Sequence, residues 1–156
     1  MSTEQHGERI RPDGPPHHGE DRGGRTARQE VVEVIHTYFD GLHHGDTGRL
    51  GQVFHPDAIY ASATGGDLRR LTMAEYLPVV EGREPPAARR ELRRDRIVSI
   101  EFAGPVTASA RVECAIGPRL YTDFLSLVFL DGEWRIIAKV FDSAPLPSPE
   151  LLPKGI

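Results

Sequence analysis

The chain has 156 residues, 38% of them hydrophobic and 27% charged, with a formal net charge of −4. That length suits one domain with a real core, and so mild a charge provides no global field to recruit nucleic acid or an anionic membrane surface. A single cysteine, Cys114, excludes an intrachain disulfide and any metal site built on two or four cysteines.

Residues 1–25 hold Met1 and Ile10 as their only hydrophobic side chains, against nine charges of both signs. Such a segment buries too little surface to offset its ordering entropy, so a disordered tail is expected. It also lacks the apolar centre of a signal peptide, and no run in the chain reaches membrane-spanning length, so a cytoplasmic protein is expected. The domain proper is expected over residues 26–142. Residues 143–156, with Pro145, Pro147 and Pro149, read as an extended C-terminal strap.

Within the domain, Val31, Ile35, Tyr38 and Leu42 follow the spacing of a helix that buries one stripe, and Gly45 stops it. Asp46 can cap a second, short helix carrying Leu50, Val53 and Phe54, which Pro56 ends. Ala58–Ser62 reads as a strand, and Gly65-Gly66 turns the chain. Thr72-Met-Ala-Glu75 is a capping box opening a third helix, with Pro78 limiting or kinking it.

The period then changes from 3.6 to 2. Val98, Ile100 and Phe102 alternate with polar neighbours, and Gly104-Pro105 makes a turn. Val106 to Ile116 alternates in the same way and ends at Gly117-Pro118. Arg119 to Leu130, the Asp131-Gly132 turn and Glu133 to Phe141 complete an antiparallel meander. Helices first and a meander after describe an α+β domain with the helices laid on one sheet face.

Asp123 carries the strongest chemical signal. It shares a strand face with Leu125, Leu127 and Phe129, where a bare carboxylate must find donors, find a cation or stay neutral. Lys139, one of two lysines beside 17 arginines, is the natural cation. A two-residue turn at Asp131-Gly132 pairs Phe124 with Lys139 and turns the lysine away. A three-residue turn with a bulge pairs Leu125 with Lys139 and sets both charges on one face with Ile137 and Phe141. Residue patterning leaves both registers open.

Tyr38 lies on the buried stripe of the first helix, so its hydroxyl must meet a ligand, Asp123 or another polar group. His55 ends the second helix, where it could look inward, whereas His36, His43 and His44 are expected to be exposed. No carboxylate with metal-ligand spacing accompanies them, so neither metal nor cofactor is expected. Arg83, Arg89, Arg90, Arg93, Arg94 and Arg96 crowd one loop and strand start. They could grip an anion at a pocket mouth, but Glu84, Glu91 and Asp95 dilute the run and favour a solvated loop. No phosphate-cradling glycine loop, nucleophile elbow or nucleic-acid motif is present.

Four segments together resemble the nuclear transport factor 2-like superfamily and, within it, the putative lumazine-binding family of bacterial proteins. They are Tyr38-Phe-Asp-Gly-Leu-His-His-Gly-Asp46, Phe54-His-Pro-Asp-Ala58, Tyr121-Thr-Asp-Phe-Leu-Ser-Leu127 and Asp131-Gly-Glu-Trp-Arg-Ile-Ile-Ala-Lys-Val-Phe141. The resemblance implies a cone of three helices on a curved antiparallel sheet, a central pocket and a homodimer. The superfamily includes ketosteroid isomerase, in which a first-helix tyrosine and a protonated strand aspartate bind an enolate oxygen. Tyr38 and Asp123 fall at matching places, but Ser62 stands where that enzyme has its general base, and serine cannot fill that role. The resemblance also favours the register with Lys139 and Phe141 facing inward, which would keep Asp123 a carboxylate.

The expectation is therefore a cofactor-independent isomerase, dehydratase or cyclase of bacterial secondary or auxiliary metabolism. Asp123 would serve as acid/base, Tyr38 as hydrogen-bond donor, Lys139 as orienting or substrate-binding cation and His55 as a second proton carrier. Tyr60, Ser62, Tyr121, Leu125, Ile137 and Phe141 are expected to line the ligand site. The alternatives are a non-catalytic binder of a small heteroaromatic ligand such as a pterin, and a dimerisation module. Neither nucleic acid nor membrane is an expected partner.

Overall fold

The structure, a computed structural model, describes residues 24–147. Residues 1–23 of the expected tail, and the part of the expected strap beyond residue 147, lie outside the described residues. Three helices precede or interrupt six strands in chain order: α1 (Ala27–His44), α2 (Thr47–Val53), β1 (Phe54–Ser62), β2 (Arg69–Thr72) and α3 (Met73–Glu81) come first. Then follow β3 (Asp95–Phe102), β4 (Thr107–Ile116), β5 (Arg119–Leu130) and β6 (Glu133–Pro145).

Local chemistry sets the helix ends. Thr26 and Gln29 form a capping box at the start of α1, and Gly45, in the left-handed region at φ 63°, ends it. The Asp46 carboxylate accepts from the Arg49 amide at 3.1 Å to open α2, and Thr72 with Glu75 caps α3. α2 ends at Val53 rather than at Pro56, which lies inside β1. The β1–β6 register shifts between Phe54 and Ile59, so Pro56 sits where the ladder is interrupted and its missing N–H costs little. α3 runs through Pro78, and the Gly82 amide still donates to the Pro78 carbonyl at 2.9 Å.

The sheet order is β2-β1-β6-β5-β4-β3. β3 to β6 form the expected meander, but β1 pairs parallel to β6, so the sheet is mixed rather than antiparallel. β2, a short polar edge strand, had no apolar alternation to announce it. β6 overruns the expected domain boundary to include Ser143–Pro145.

The β5–β6 hairpin combines features of both registers left open above. Leu130 pairs with Glu133 across a two-residue turn, with Asp131 at φ 52° and Gly132 at φ 82°, as a type I′ turn requires. The ladder then slips: Leu127 faces Ile136 and Ser126 faces Ala138, leaving Ile137 as an extra residue. Beyond that bulge Leu125 faces Lys139 and Asp123 faces Phe141. The bulge, not the turn, rotates Lys139 to the inner face.

The core lies between the α1 stripe of Val31, Ile35, Tyr38, Phe39 and Leu42 and the inner face of the sheet. That face carries Ala110, Val112 and Cys114 from β4, Leu125 and Leu127 from β5, and Trp134 and Ile136 from β6. Where α1 meets α2, a Cβ on Gly41 would lie 2.6 Å from Leu50 Cδ2 and 2.8 Å from Leu50 Cγ. Leu50 is wholly buried, so little room exists for it to retreat. Gly41→Ala should therefore destabilise the fold by about 1–3 kcal/mol, read as a lower urea midpoint with unchanged slope. An unchanged midpoint would show that the crossing is loosely packed.

Candidate functional site

Asp123 and Tyr38 are both 0% exposed, and they meet at the centre of the core. The Tyr38 hydroxyl donates to Asp123 Oδ2 at 2.5 Å, the short distance typical of an O–H bonded to a carboxylate. Lys139 Nζ stands 3.9 Å from the same Oδ2. Oδ1 has no hydrogen-bond partner among the described residues. One oxygen of the carboxylate is thus engaged twice and the other is unengaged.

Lys139 is 4% exposed and lies among aromatic rings. Its ammonium is 5.3 Å from the ring centre of Tyr38, 5.5 Å from Tyr60, 5.4 Å from Tyr76 and 5.1 Å from Phe141. These are cation–π distances. The sheet register explains the arrangement: Tyr60 on β1 sits beside Lys139 in the parallel ladder, and Leu125 flanks it from β5. Tyr76 arrives from α3, where it shares the buried face with Met73 and Val80 and stacks on Tyr60 at 4.6 Å.

Exposure rises from this centre toward one end of the sheet. Ser62 is 6% and Tyr60 7% exposed, and Tyr121 and Phe141, their rings 5.8 Å apart, are partly exposed. There Ser62 Oγ bonds Thr64 Oγ1 at 2.9 Å, and Thr64 donates to the Asp142 carboxylate at 2.6 Å. The Thr64 hydroxyl and the Ser143 amide hold the Asp142 carboxyl below its ordinary range.

Of the residues singled out from sequence, Tyr38, Tyr60, Ser62, Tyr121, Asp123, Leu125, Lys139 and Phe141 share the inner face or its open end. Ile137 does not: it is the bulge residue, and Ile136 occupies the buried position instead. His55 also stands apart. Its Nδ1 accepts from the Asp57 amide at 3.0 Å. It lines an outward groove of about 600 Å³ between α2 and α3, together with Pro56, Met73 and Leu77. Two buried residues escaped the sequence reading as site candidates: Tyr76 was legible from the helical period set by the capping box, whereas Cys114 was read only as a strand residue.

The electrostatics follow from burial. Tyr38 is pushed well above its ordinary value by burial first and by the Asp123 charge second. Burial alone would lower Lys139, but the Asp123 carboxylate outweighs it and holds the lysine above its ordinary value. Cys114 is pushed up to about 12, by burial and then by Asp123. Among the described residues, no three His, Cys, Asp or Glu side chains are grouped so as to hold a metal ion.

Comparison with known proteins places the chain in a family. Residues 26–142 match the profile of the family described as putative lumazine-binding. The chain belongs to this family. A curated relative, aldolase FrzH from Cladobotryum sp, is 26% identical over 117 residues, 74% of this chain and 90% of that protein. An NTF2-like protein of unknown function from Shewanella baltica superposes with a TM-score of 0.69 at 24% identity, over 78% of this chain and 99% of the other. A ketosteroid isomerase-like protein from Erwinia carotovora atroseptica gives 0.57 at 11% identity, over 75% of this chain and 95% of the other. At such identities these two structures show the fold, which is nuclear transport factor 2-like with three helices on a curved six-stranded sheet.

Tyr38, Lys139 and Cys114 all hold their protons more tightly folded than unfolded. Each therefore contributes stability that is complete below its unfolded value and lost as pH rises through its folded value. The contribution of these three groups should be flat up to about pH 9.0, the ordinary value of Cys114, and stability should decline from there toward 12. Urea midpoints taken across that interval test this, and a midpoint that rises with pH there would contradict the assignment.

Proposed function

We propose that this protein is a cofactor-independent enzyme acting on a small carbonyl compound through an enolate. The observation that carries this reading is the unequal use of the two Asp123 oxygens. Tyr38 and Lys139 both engage Oδ2, while Oδ1 is buried and has no partner among the described residues. A carboxylate held in that way is oriented to use one oxygen.

In this reading Asp123 Oδ1 takes a proton from the carbon beside a substrate carbonyl. The C–H electron pair moves into the carbonyl, whose oxygen becomes an enolate beside the Lys139 ammonium. Tyr38 keeps Oδ2 occupied and fixes the rotation of the carboxylate. Returning the proton to a different carbon isomerises the substrate. Expelling hydroxide from the next carbon, with the proton completing water, dehydrates it. Adding the enolate to a second carbonyl closes a C–C bond, as in cyclisation or an aldol step. The name of the curated relative, an aldolase, supports this last class. Substrate would enter at the end marked by Tyr60, Ser62, Tyr121 and Phe141, where the aromatic side chains must turn aside.

A second reading is favoured by the four rings around Lys139, which suit a flat heteroaromatic ligand that is held without turnover. The two readings separate on proton exchange. In D₂O, NMR of a panel of cyclic ketones and keto acids should show deuterium entering beside the carbonyl of at least one. Asp123→Asn should abolish that exchange and, by stranding buried Lys139, should also cost about 3–5 kcal/mol of stability. Tyr38→Phe should slow it while leaving Lys139 paired. No exchange anywhere in the panel, with a planar ligand retained through purification and seen by mass spectrometry, would favour the binder.

The outer sheet face supports assembly into a homodimer. Phe124 at 55%, Val140 at 50%, Leu130 at 50% and Val98 at 40% exposed stand on it. Apolar exposure of that kind commonly marks a partner surface. Sedimentation equilibrium should give a dimer at micromolar concentration, and Phe124→Glu should give a monomer. A wild-type monomer would remove the proposal.

A further inference from the structure

At the open end of the inner face, three side chains form a hydrogen-bonded line whose direction is fixed by its last member. Ser62 Oγ lies 2.9 Å from Thr64 Oγ1, and Thr64 Oγ1 lies 2.6 Å from Asp142 Oδ1. The Asp142 carboxyl is held below its ordinary range, first by the Thr64 hydroxyl and then by the Ser143 amide. As a carboxylate it only accepts, so the single proton of the Thr64 hydroxyl goes to it. The proton in the 2.9 Å contact therefore belongs to Ser62.

Each hydroxyl has one proton and two lone pairs. Thr64 Oγ1 donates to Asp142 and accepts from Ser62 and, at 3.3 Å, from the Ser143 amide, so it is fully engaged. Ser62 Oγ donates to Thr64 Oγ1 and accepts from the Thr64 amide at 3.1 Å. One lone pair of Ser62 Oγ has no partner among the described residues. Toward the inner face this hydroxyl is an acceptor, and its proton is not free to donate there.

The sheet register ties that acceptor to the reactive carboxylate. Ser62 pairs with Phe141 in the parallel ladder, and Phe141 pairs with Asp123 in the antiparallel one. Ladder partners project to one face, so Ser62, Phe141 and Asp123 make a single row across β1, β6 and β5. Its ends stand two strand spacings apart, about 10 Å. Ser62 is 6% and Asp123 0% exposed, while Phe141 between them is partly exposed and offers only a ring. A hydrogen-bond length at each end leaves about the breadth of one ring between the two contacts. An amino group in that span would enter as an ammonium near the Lys139 ammonium and the Arg69 guanidinium, which stand 5.5 Å and 5.8 Å from the Tyr60 ring centre. A neutral hydroxyl carries no such penalty.

We propose that Ser62 is a specificity residue, its Oγ accepting a hydrogen bond from a substrate hydroxyl set across a ring from the C–H that Asp123 Oδ1 takes. The substrate is then a hydroxylated cyclic carbonyl compound. An ether oxygen in place of the hydroxyl would face the Ser62 lone pair without a proton between them, leaving a buried acceptor unsatisfied. The assignment rests on the enolate reading for the role of Asp123 but not for the acceptor character of Ser62.

Calorimetric titration of the full chain with cyclic hydroxy ketones, each paired with its O-methyl ether and differing in the distance from hydroxyl to carbonyl, tests it. At least one hydroxy ketone should bind about tenfold or more tightly than its ether. Ser62→Ala should erase that preference while circular dichroism stays unchanged. Thr64→Val, at an exposed position, releases the Ser62 proton, so the ether should gain affinity while the hydroxy ketone keeps its own. That gain is outside the reach of a merely structural role, and it carries the test should Ser62→Ala not fold. Hydroxy ketones and ethers binding alike, no binding by any pair, wild-type preference in Ser62→Ala, or an unchanged ether in Thr64→Val would overturn the proposal. Absent preference with deuterium exchange intact overturns the role of Ser62 alone, and absent exchange with the preference intact overturns the enolate reading alone.

Discussion

The placement of one carboxylate inside an apolar core constrains most of this structure. Asp123 sits among Leu125, Leu127 and Val112, where an unpaired charge would cost several kcal/mol. Tyr38 must turn inward to reach it, which fixes the rotation of α1 about its axis. Lys139 must turn inward too, which requires an extra residue in β6. Aromatic rings then enclose the ammonium, because hydrocarbon alone would leave it poorly solvated. The helix stripe, the bulge and the aromatic cluster each follow from that carboxylate.

Local features of the fold were legible because their causes are local. The capping residues Asp46 and Thr72 and the stop at Gly45 act within one turn of chain. The period-2 alternation from Val98 onward reports a half-buried sheet directly. The partnership of Asp123 with an inward Tyr38 was also accessible, since both residues declare their faces by spacing. The parallel pairing of β1 with β6 was not, because it joins segments about eighty residues apart and leaves no periodic trace. The Ile137 bulge escaped for a different reason. Adjacent Ile136 and Ile137 are equally suited to the inner position, so hydrophobicity alone cannot tell which one is extra.

Charged side chains were the hardest to place. Arg83 looked like its five neighbours in the loop, and composition averaged it with them. What separates it is that its Nε and Nη2 are buried without a hydrogen-bond partner among the described residues, a property of three-dimensional surroundings. His55 failed in the opposite sense. It was expected at the end of a short helix, but α2 stops at Val53 and His55 lies in β1, whose backbone turns it toward the α2–α3 groove and the Asp57 amide. Family membership supplies the fold and the general placement of Tyr38 and Asp123. It does not supply a reaction, because this fold hosts many.

The parallel seam between β1 and β6 also bears on the order of events during synthesis. Tyr60 and Tyr76 are made early, and Lys139, which they enclose, belongs to the last strand of the described domain. Until that strand arrives, β1 has an open edge and Asp123 lacks its cation, so a growing chain carries a half-built interior with an unmatched charge. Such distant pairing slows folding and prolongs the time for which sticky strand edges are available to other chains. A protein arranged in this way reaches its working form in one late step, with closure of the sheet and completion of the reactive centre occurring together.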